Sequence, residues 1–359
     1  MARLAATLTV LAVLLAAGAA SAATVTRVMT GLDNPRGLDF GPDGALYVAE
    51  AGRGGPGPPF RIMRGMPQAF GATGAISRLR GGVQEKWVVG LPSFAPASGI
   101  EAEGPQDIAF EHDRIPFFGR SDAYVAVGLA VDAATRATYG PAAALMGKLL
   151  RISGGGAIAE VADIAGFDTA TNPDGGPSDS NPFGVLPLTR FQLVVDAGGN
   201  TLYRVAGGTI ASVAVFPRRA NPTPLGPPVI ESVPTAVTVG PDGALYVSEL
   251  TGVPFLTGFA RIFRVGLDGS VAVVATGLTA VVDLAFGDDG TLYALQHASC
   301  GPFFACPGSI VRVNASAPHP VVAGGFTRPG AMTIGPDGAF YVSNRSANTE
   351  TGEVLRVVP

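Results

Sequence analysis

The chain has 359 residues, 47% of them hydrophobic and 14% charged, a balance that fills a sizeable core and excludes a disordered polypeptide. Its formal charge is −4 and its basic residues form no run, which excludes nucleic acid as a partner. Fifty glycines and thirty prolines argue against long helices and for a turn-rich, all-β chain.

From the N-terminus, residues 1–22 read as a secretory signal peptide. Arg3 supplies the positive end, Leu8 to Leu15 the apolar stretch, and Ala20, Ser21 and Ala22 a small-residue cleavage site. The apolar stretch falls short of the roughly 20 residues of a membrane anchor, and none like it occurs later in the chain. The processed chain, 23–359, is therefore predicted to be exported, with no transmembrane segment. A strand at 24–29, "TVTRVM", comes next and belongs to no N-terminal unit.

Repetition dominates the rest of the chain. "NPRGLDFGPDGALYVAE" at 34–50 returns as "VPTAVTVGPDGALYVSE" at 233–249, and "GPDG" or "GDDG" starts at 41, 240, 287 and 335. Intervals of 47 and 48 residues separate the last three, whereas 199 separate the first two, so further divergent copies lie between them. Aligning the apolar strand before the turn gives starts at 34, 104, 181, 233, 280 and 328. In each unit one strand ends at a tight turn, a second begins near "ALYV", and a third and an outer strand complete it. Pro fixes φ in that turn and Gly accepts φ > 0, which makes Asp43, Asp242, Asp289 and Asp337 turn residues.

Four-stranded units repeated in this way predict a six-bladed β-propeller in place of a two-sheet sandwich. The blades span approximately 33–90, 104–164, 181–217, 233–278, 280–326 and 328–359. The last lacks an outer strand, and 24–29 is predicted to supply it, closing the ring. The "NPRGLDFGPDGALYVAEAG" start, the six units after a signal peptide and the final "IGPDGAFYVSN" resemble the ScyD/ScyE family of secreted propellers. They also resemble NHL- and lactonase-type propellers. The resemblance implies fold and export and carries no catalytic residues.

Loop length distinguishes the two faces. Long insertions at 51–73, 91–103, 128–146, 165–180, 218–232 and 251–259 share one face with the loop holding Cys300 and Cys306, and binding is expected there. These two cysteines are expected to pair as a structural staple, since a redox pair needs C-x-x-C spacing. The loop at 50–71, with Phe60, Met63, Met66 and Phe70, reads as a contact surface or as a lid over the funnel.

Polar residues gather at the same rim. First strands begin with Asn34, Arg36, Gln106, Asp107, Asn181, Asp283 and Arg328. Second strands end at Glu50, Asp196, Glu249, Gln296, His297, Asn344 and Arg345, with Glu101 and Glu103 nearby. Glu50, Asp107, Glu249 and Asp283 are the candidate ligands of a possible Ca²⁺, which prefers such oxygens. The bland alternative is that all these side chains bond neighbouring backbone or form ion pairs.

Two functional classes fit these residues. One is a secreted binding scaffold for an extracellular protein, a glycan or a small molecule. The other is a Ca²⁺-dependent lactonase or esterase at the funnel mouth. A quinone-dependent dehydrogenase needs a well-placed histidine base, and of His112, His297 and His319 only His297 falls near the rim. A serine nucleophile has no G-x-S-x-G elbow.

Overall fold

A computed structural model describes residues 23–57, 59–63, 66–111, 122–266 and 268–359. The proposed signal segment 1–22 and His112 lie outside the described residues, as does most of the 111–122 loop. Among the described residues no helix is long and apolar enough to cross a membrane.

Six antiparallel sheets form the blades of a β-propeller. From the axis outward, blade 1 comprises Pro35–Phe40, Leu46–Glu50, Met66–Arg80 and Val83–Ala95, and blade 2 Pro105–Phe110, Ala123–Val127, Lys148–Ile152 and Ile158–Asp163. Blade 3 comprises Pro182–Leu188, Phe191–Asp196, Thr201–Ala206 and Thr209–Val215, and blade 4 Pro234–Val239, Leu245–Glu249, Ala260–Val265 and Val271–Leu278. Blade 5 comprises Val281–Phe286, Leu292–Gln296, Gly308–Arg312 and Val321–Phe326. Blade 6 takes Ala331–Ile334, Phe340–Asn344 and Gly352–Val358 from the C-terminus, and Thr24–Leu32 as its outer strand. The expected closure is present, with Thr24 opposite Val358 and Leu32 opposite Gly352.

The repeated turn works as its residues require. Asp43 Oδ1 accepts the Ala45 N–H and Oδ2 the Tyr47 hydroxyl; Asp242 and Asp337 hold Ala244 with Tyr246 and Ala339 with Tyr341 in the same way. In Asp289 the partners are the amide and hydroxyl of Thr291. The glycine after each aspartate has positive φ, from 73° to 79°, where a side chain would be strained. Each tyrosine then turns its ring sideways: Tyr246 meets Phe286 of the next blade edge-on at 5.0 Å, and Tyr341 meets Phe40 likewise. The turn thus positions an inter-blade contact.

Apolar cores lie between blades. Two insertions expected to be irregular carry short helices, Ala133–Thr138 and Ile164–Thr171, capped by Asp132 and Asp163. The 50–71 loop forms a hairpin in which Pro59–Met63 pairs with the start of Met66–Arg80. Phe70 packs edge-on against Phe94, whose ring meets Tyr139, so it serves the core and not a contact surface. The Cys300–Cys306 disulfide is formed.

Closure depends on burial as well as on the ladder. Met29 and Leu32 are 1% and 0% exposed between blade 6 and blade 1, whereas Val25 is 48% exposed. Leu32→Ala is therefore expected to destabilise the fold by about 2–5 kcal/mol, and Val25→Ala by less than about 0.5 kcal/mol. Urea unfolding checks this, and equal effects would contradict a packed closing strand.

Candidate functional site

The six innermost strands surround a channel of about 550 Å³. On the long-loop face it opens into a mouth of about 190 Å³. Gln106, Phe183, Thr235, Val282 and Gly330 line both and form the neck between them, and Arg36, at the equivalent position of blade 1, lines the mouth. One cation, one amide, one aromatic ring, one hydroxyl, one aliphatic chain and one bare glycine make this ring chemically lopsided.

Immediately below the neck lie Gly37, Asp107, Gly184, Asp283 and their blade 4 and blade 6 counterparts, Ala236 and Ala331. Small neighbours make room for the aspartates: a Cβ on Gly37 would fall 1.8 Å from Asp107 Oδ1. Innermost strands expose an unpaired backbone edge, and these carboxylates bind it across blades. Asp107 accepts N–H bonds from Ile108 and from Val185 of blade 3, and Asp283 from Leu284 and from Met332 of blade 6. One layer deeper Asp39 does the same for Phe40 and Phe110.

Burial pushes Asp283 up to about 7, against the opposing pull of its two amide donors. Burial likewise raises Asp107 well above the usual carboxylate range, and the charges of Asp283 and Asp39 add to this. Blades 2 and 5 stand opposite each other in a six-membered ring, so two reluctant carboxylates share the channel.

Second-strand ends follow the bland alternative of backbone bonds and ion pairs. Glu50, Asp196, Glu249, Gln296 and Asn344 are all 8% exposed or less, and most of them clamp the turn that leads into their own blade. Glu50 accepts from the Asp33 amide and pairs with Lys86 and Ser77. Asp196 accepts from Ser180 and the amides of Asn181, Gly198 and Gly199; burial nevertheless raises it to about 6. Glu249 holds Ser232, Arg219 and Arg261. Gln296 accepts from the Thr279 amide, while Asn344 donates to Glu353. Asn34 is fully buried and donates to the carbonyls of Gly52 and Gly99.

The four residues proposed for Ca²⁺ therefore do not converge. Glu50 and Glu249 are held inside blades 1 and 4 by cations, and Asp107 and Asp283 spend both oxygens on amides. Among the described residues no three His, Cys, Asp or Glu side chains group as metal donors. These carboxylates do not fit a calcium site, because a cation there would have to displace bonds that hold the ring.

The mouth gathers Arg36, Glu101, Glu103, Gln106, Asn181, His297 and Arg328 from the sequence-derived rim. Arg36 donates to the Ala102 carbonyl, Gln106 Nε2 to Glu103, and Asn181 accepts the Leu129 amide. Gln106 is 2% exposed and its Oε1 has no hydrogen-bond partner. His297 Nδ1 lies 2.8 Å from the Pro329 carbonyl, which can only accept, so this nitrogen carries a proton and Nε2 is the basic one in the neutral ring. His319 is half-buried on an outer strand's flank, against the Thr276 carbonyl.

Aromatic residues were not singled out for the mouth from sequence. The disulfide loop inserts Phe304, which stacks on Phe255 at 4.1 Å, meets His297 edge-on, and carries the Arg328 guanidinium 5.0 Å from its ring centre. Phe183 faces them from blade 3. With Val233, Leu250 and Val282 these rings form an apolar wall. Arg328 is half-buried and makes no side-chain hydrogen bond or ion pair with any described residue.

No protein-family model matches the chain, and no curated protein matches its sequence. Solved structures do resemble it. A gluconolactonase of Xanthomonas campestris is 10% identical with a TM-score of 0.53, over 93% of this chain and 90% of that one. A glucose dehydrogenase is 12% identical with a TM-score of 0.52, over 94% and 99%. A catalytically inactive virginiamycin B lyase from Staphylococcus aureus, solved with quinupristin, is 12% identical with a TM-score of 0.48, over 94% and 99%. These neighbours are gluconolactonase-like β-propellers. At such identity the likeness shows the fold alone.

The channel carboxylates give the fold a pH dependence. Their folded pKa lies above an unfolded value near 4, so the native state binds more protons across about pH 4–7 and stability falls as pH rises through that window. The thermal midpoint is expected to drop between pH 5 and pH 8, and Asp283→Asn to flatten the slope. A midpoint that climbs over this range would contradict the assignment.

Proposed function

We propose that the chain is an exported propeller of ScyD/ScyE type that binds a small molecule at the funnel mouth without turning it over. Export rests on the leader at 1–22 and accords with the disulfide. The observation that carries the binding reading is Arg328. A half-buried guanidinium on the wall of a concave pocket, without a carboxylate among the described residues, is poised for a ligand. Gln106, with a buried acceptor unused at the neck, supports the same reading, because such an acceptor costs roughly 1–3 kcal/mol until a donor meets it.

Hydrolysis of a lactone or ester is the less favoured reading. It requires an activated water, and the acidic residues that would hold a metal are bonded within or between blades.

Screening the processed protein against a diverse small-molecule set by ligand-observed NMR tests the proposal. Hits are expected that vanish in Arg328→Gln, while its thermal midpoint stays within about 2 °C of the parent, as expected for a surface-lining residue. A set of hits in which none depends on Arg328, or a screen with none, would contradict it. Chelation with EDTA is expected to leave both the midpoint and the hits unchanged.

A further inference from the structure

Resting on that binding reading, we infer that the mouth takes a single-ring aromatic monocarboxylate. Three observations combine. The first is size: about 190 Å³ is little more than the roughly 150 Å³ of an apolar cavity that admits benzene, so one ring with small substituents fills it.

The second is the division of the lining. Phe183, Val233, Leu250, Phe255 and Val282 form an apolar wall contributed by blades 3, 4 and 5, whereas Arg328 stands at the start of blade 6. Phe304 already has Arg328 on its ring and Phe255 stacked against it. A ligand ring therefore lies against Phe183 and the free side of Phe255, in the offset or edge-on contacts that aromatic rings prefer. Its charged group meets the guanidinium, whose planar fork matches the two oxygens of a carboxylate.

The third is charge. Among the mouth residues Arg36 and Arg328 are balanced by Glu101 and Glu103. The mouth is thus neutral overall; Arg36 is turned to the Ala102 carbonyl and Glu103 to Gln106, and Arg328 is the cation there with no hydrogen bond or ion pair to a described residue. A dianion such as a phosphate monoester would bring a second negative charge into a mouth whose own charges already balance. A polyhydroxylated acid would desolvate its hydroxyls against five apolar side chains, at a cost that the single open acceptor on Gln106 cannot offset.

Calorimetric titration of the processed full chain with benzoate, benzyl alcohol, cyclohexanecarboxylate, gluconate and phenyl phosphate tests the inference. Benzoate is expected to bind most tightly, benzyl alcohol and phenyl phosphate about tenfold or more weakly, and gluconate weakest of all. Arg328→Gln is expected to lower benzoate affinity about tenfold or more and leave benzyl alcohol unchanged, while Phe183→Ala weakens both alike. Arg328→Lys, which keeps the charge and loses the fork, is expected to recover part of the benzoate affinity. Thermal midpoints show that each variant is folded.

Tighter binding of gluconate or phenyl phosphate, lost in Arg328→Gln, would overturn the ligand class while leaving a binding site at the mouth. Benzoate binding that is indifferent to Arg328→Gln would overturn the geometry. Absence of binding by every probe, together with an empty screen, would overturn both this inference and the reading beneath it.

Discussion

One pairing conditions the rest of the molecule: the first strand of the described chain closes the last blade. A propeller blade buries its faces only between two neighbours, so an open ring would leave blades 1 and 6 each with an apolar face in water. Here Leu32 and Met29 fill that gap, and the connecting turns interlock as well. The Asn34 amide donates to Asn348, the Glu101 amide to Ala347, and the Thr349 hydroxyl to Asp33. Ser346 and Ala347 line the mouth beside Arg328. Closure therefore sets one side of the candidate site directly, and it does so through the loop that joins the final two strands of the chain.

A second theme is the division of labour among acidic and amide side chains. Those at second-strand ends face inward to lead-in turns, whose backbone amides need acceptors once the turn is buried. Those one step below the neck reach across to the next blade's free edge. Both duties hold the ring, and both use up oxygens that would otherwise be open to ligands. The mouth is left with comparatively little: an arginine stacked on a phenylalanine, an amide oxygen at the neck, and an apolar wall.

The architecture was legible because it repeats. A Pro-Asp-Gly turn has one low-energy shape, so its recurrence marks the same hairpin each time, and the missing outer strand of the last unit pointed to its partner at 24–29. Arg36, Gln106, Asn181, His297 and Arg328 were legible as mouth residues from their places at strand ends. Glu50 and Glu249 were misplaced as calcium ligands for a physical reason: strand position fixes height along the axis, but not whether a side chain turns to the channel or to a cation further out in the blade. Lys86, two strands outward from Glu50, and Arg261, one strand outward from Glu249, decide the matter and have no fixed sequence offset. Phe183, Phe255 and Phe304 escaped because they share no period. One comes just after a strand start, one sits in a loop with positive φ, and one is carried in by the disulfide.

Native-state hydrogen exchange tests the closed ring most directly. The ladder amides of Thr24–Leu32 and Gly352–Val358 are expected to exchange together, at the slow rate of the innermost blade strands, because neither can open without the global transition. Fast exchange across Thr24–Leu32, with the remaining blades still protected, would show a ring that stands without its clasp and would contradict the structure described for the mouth.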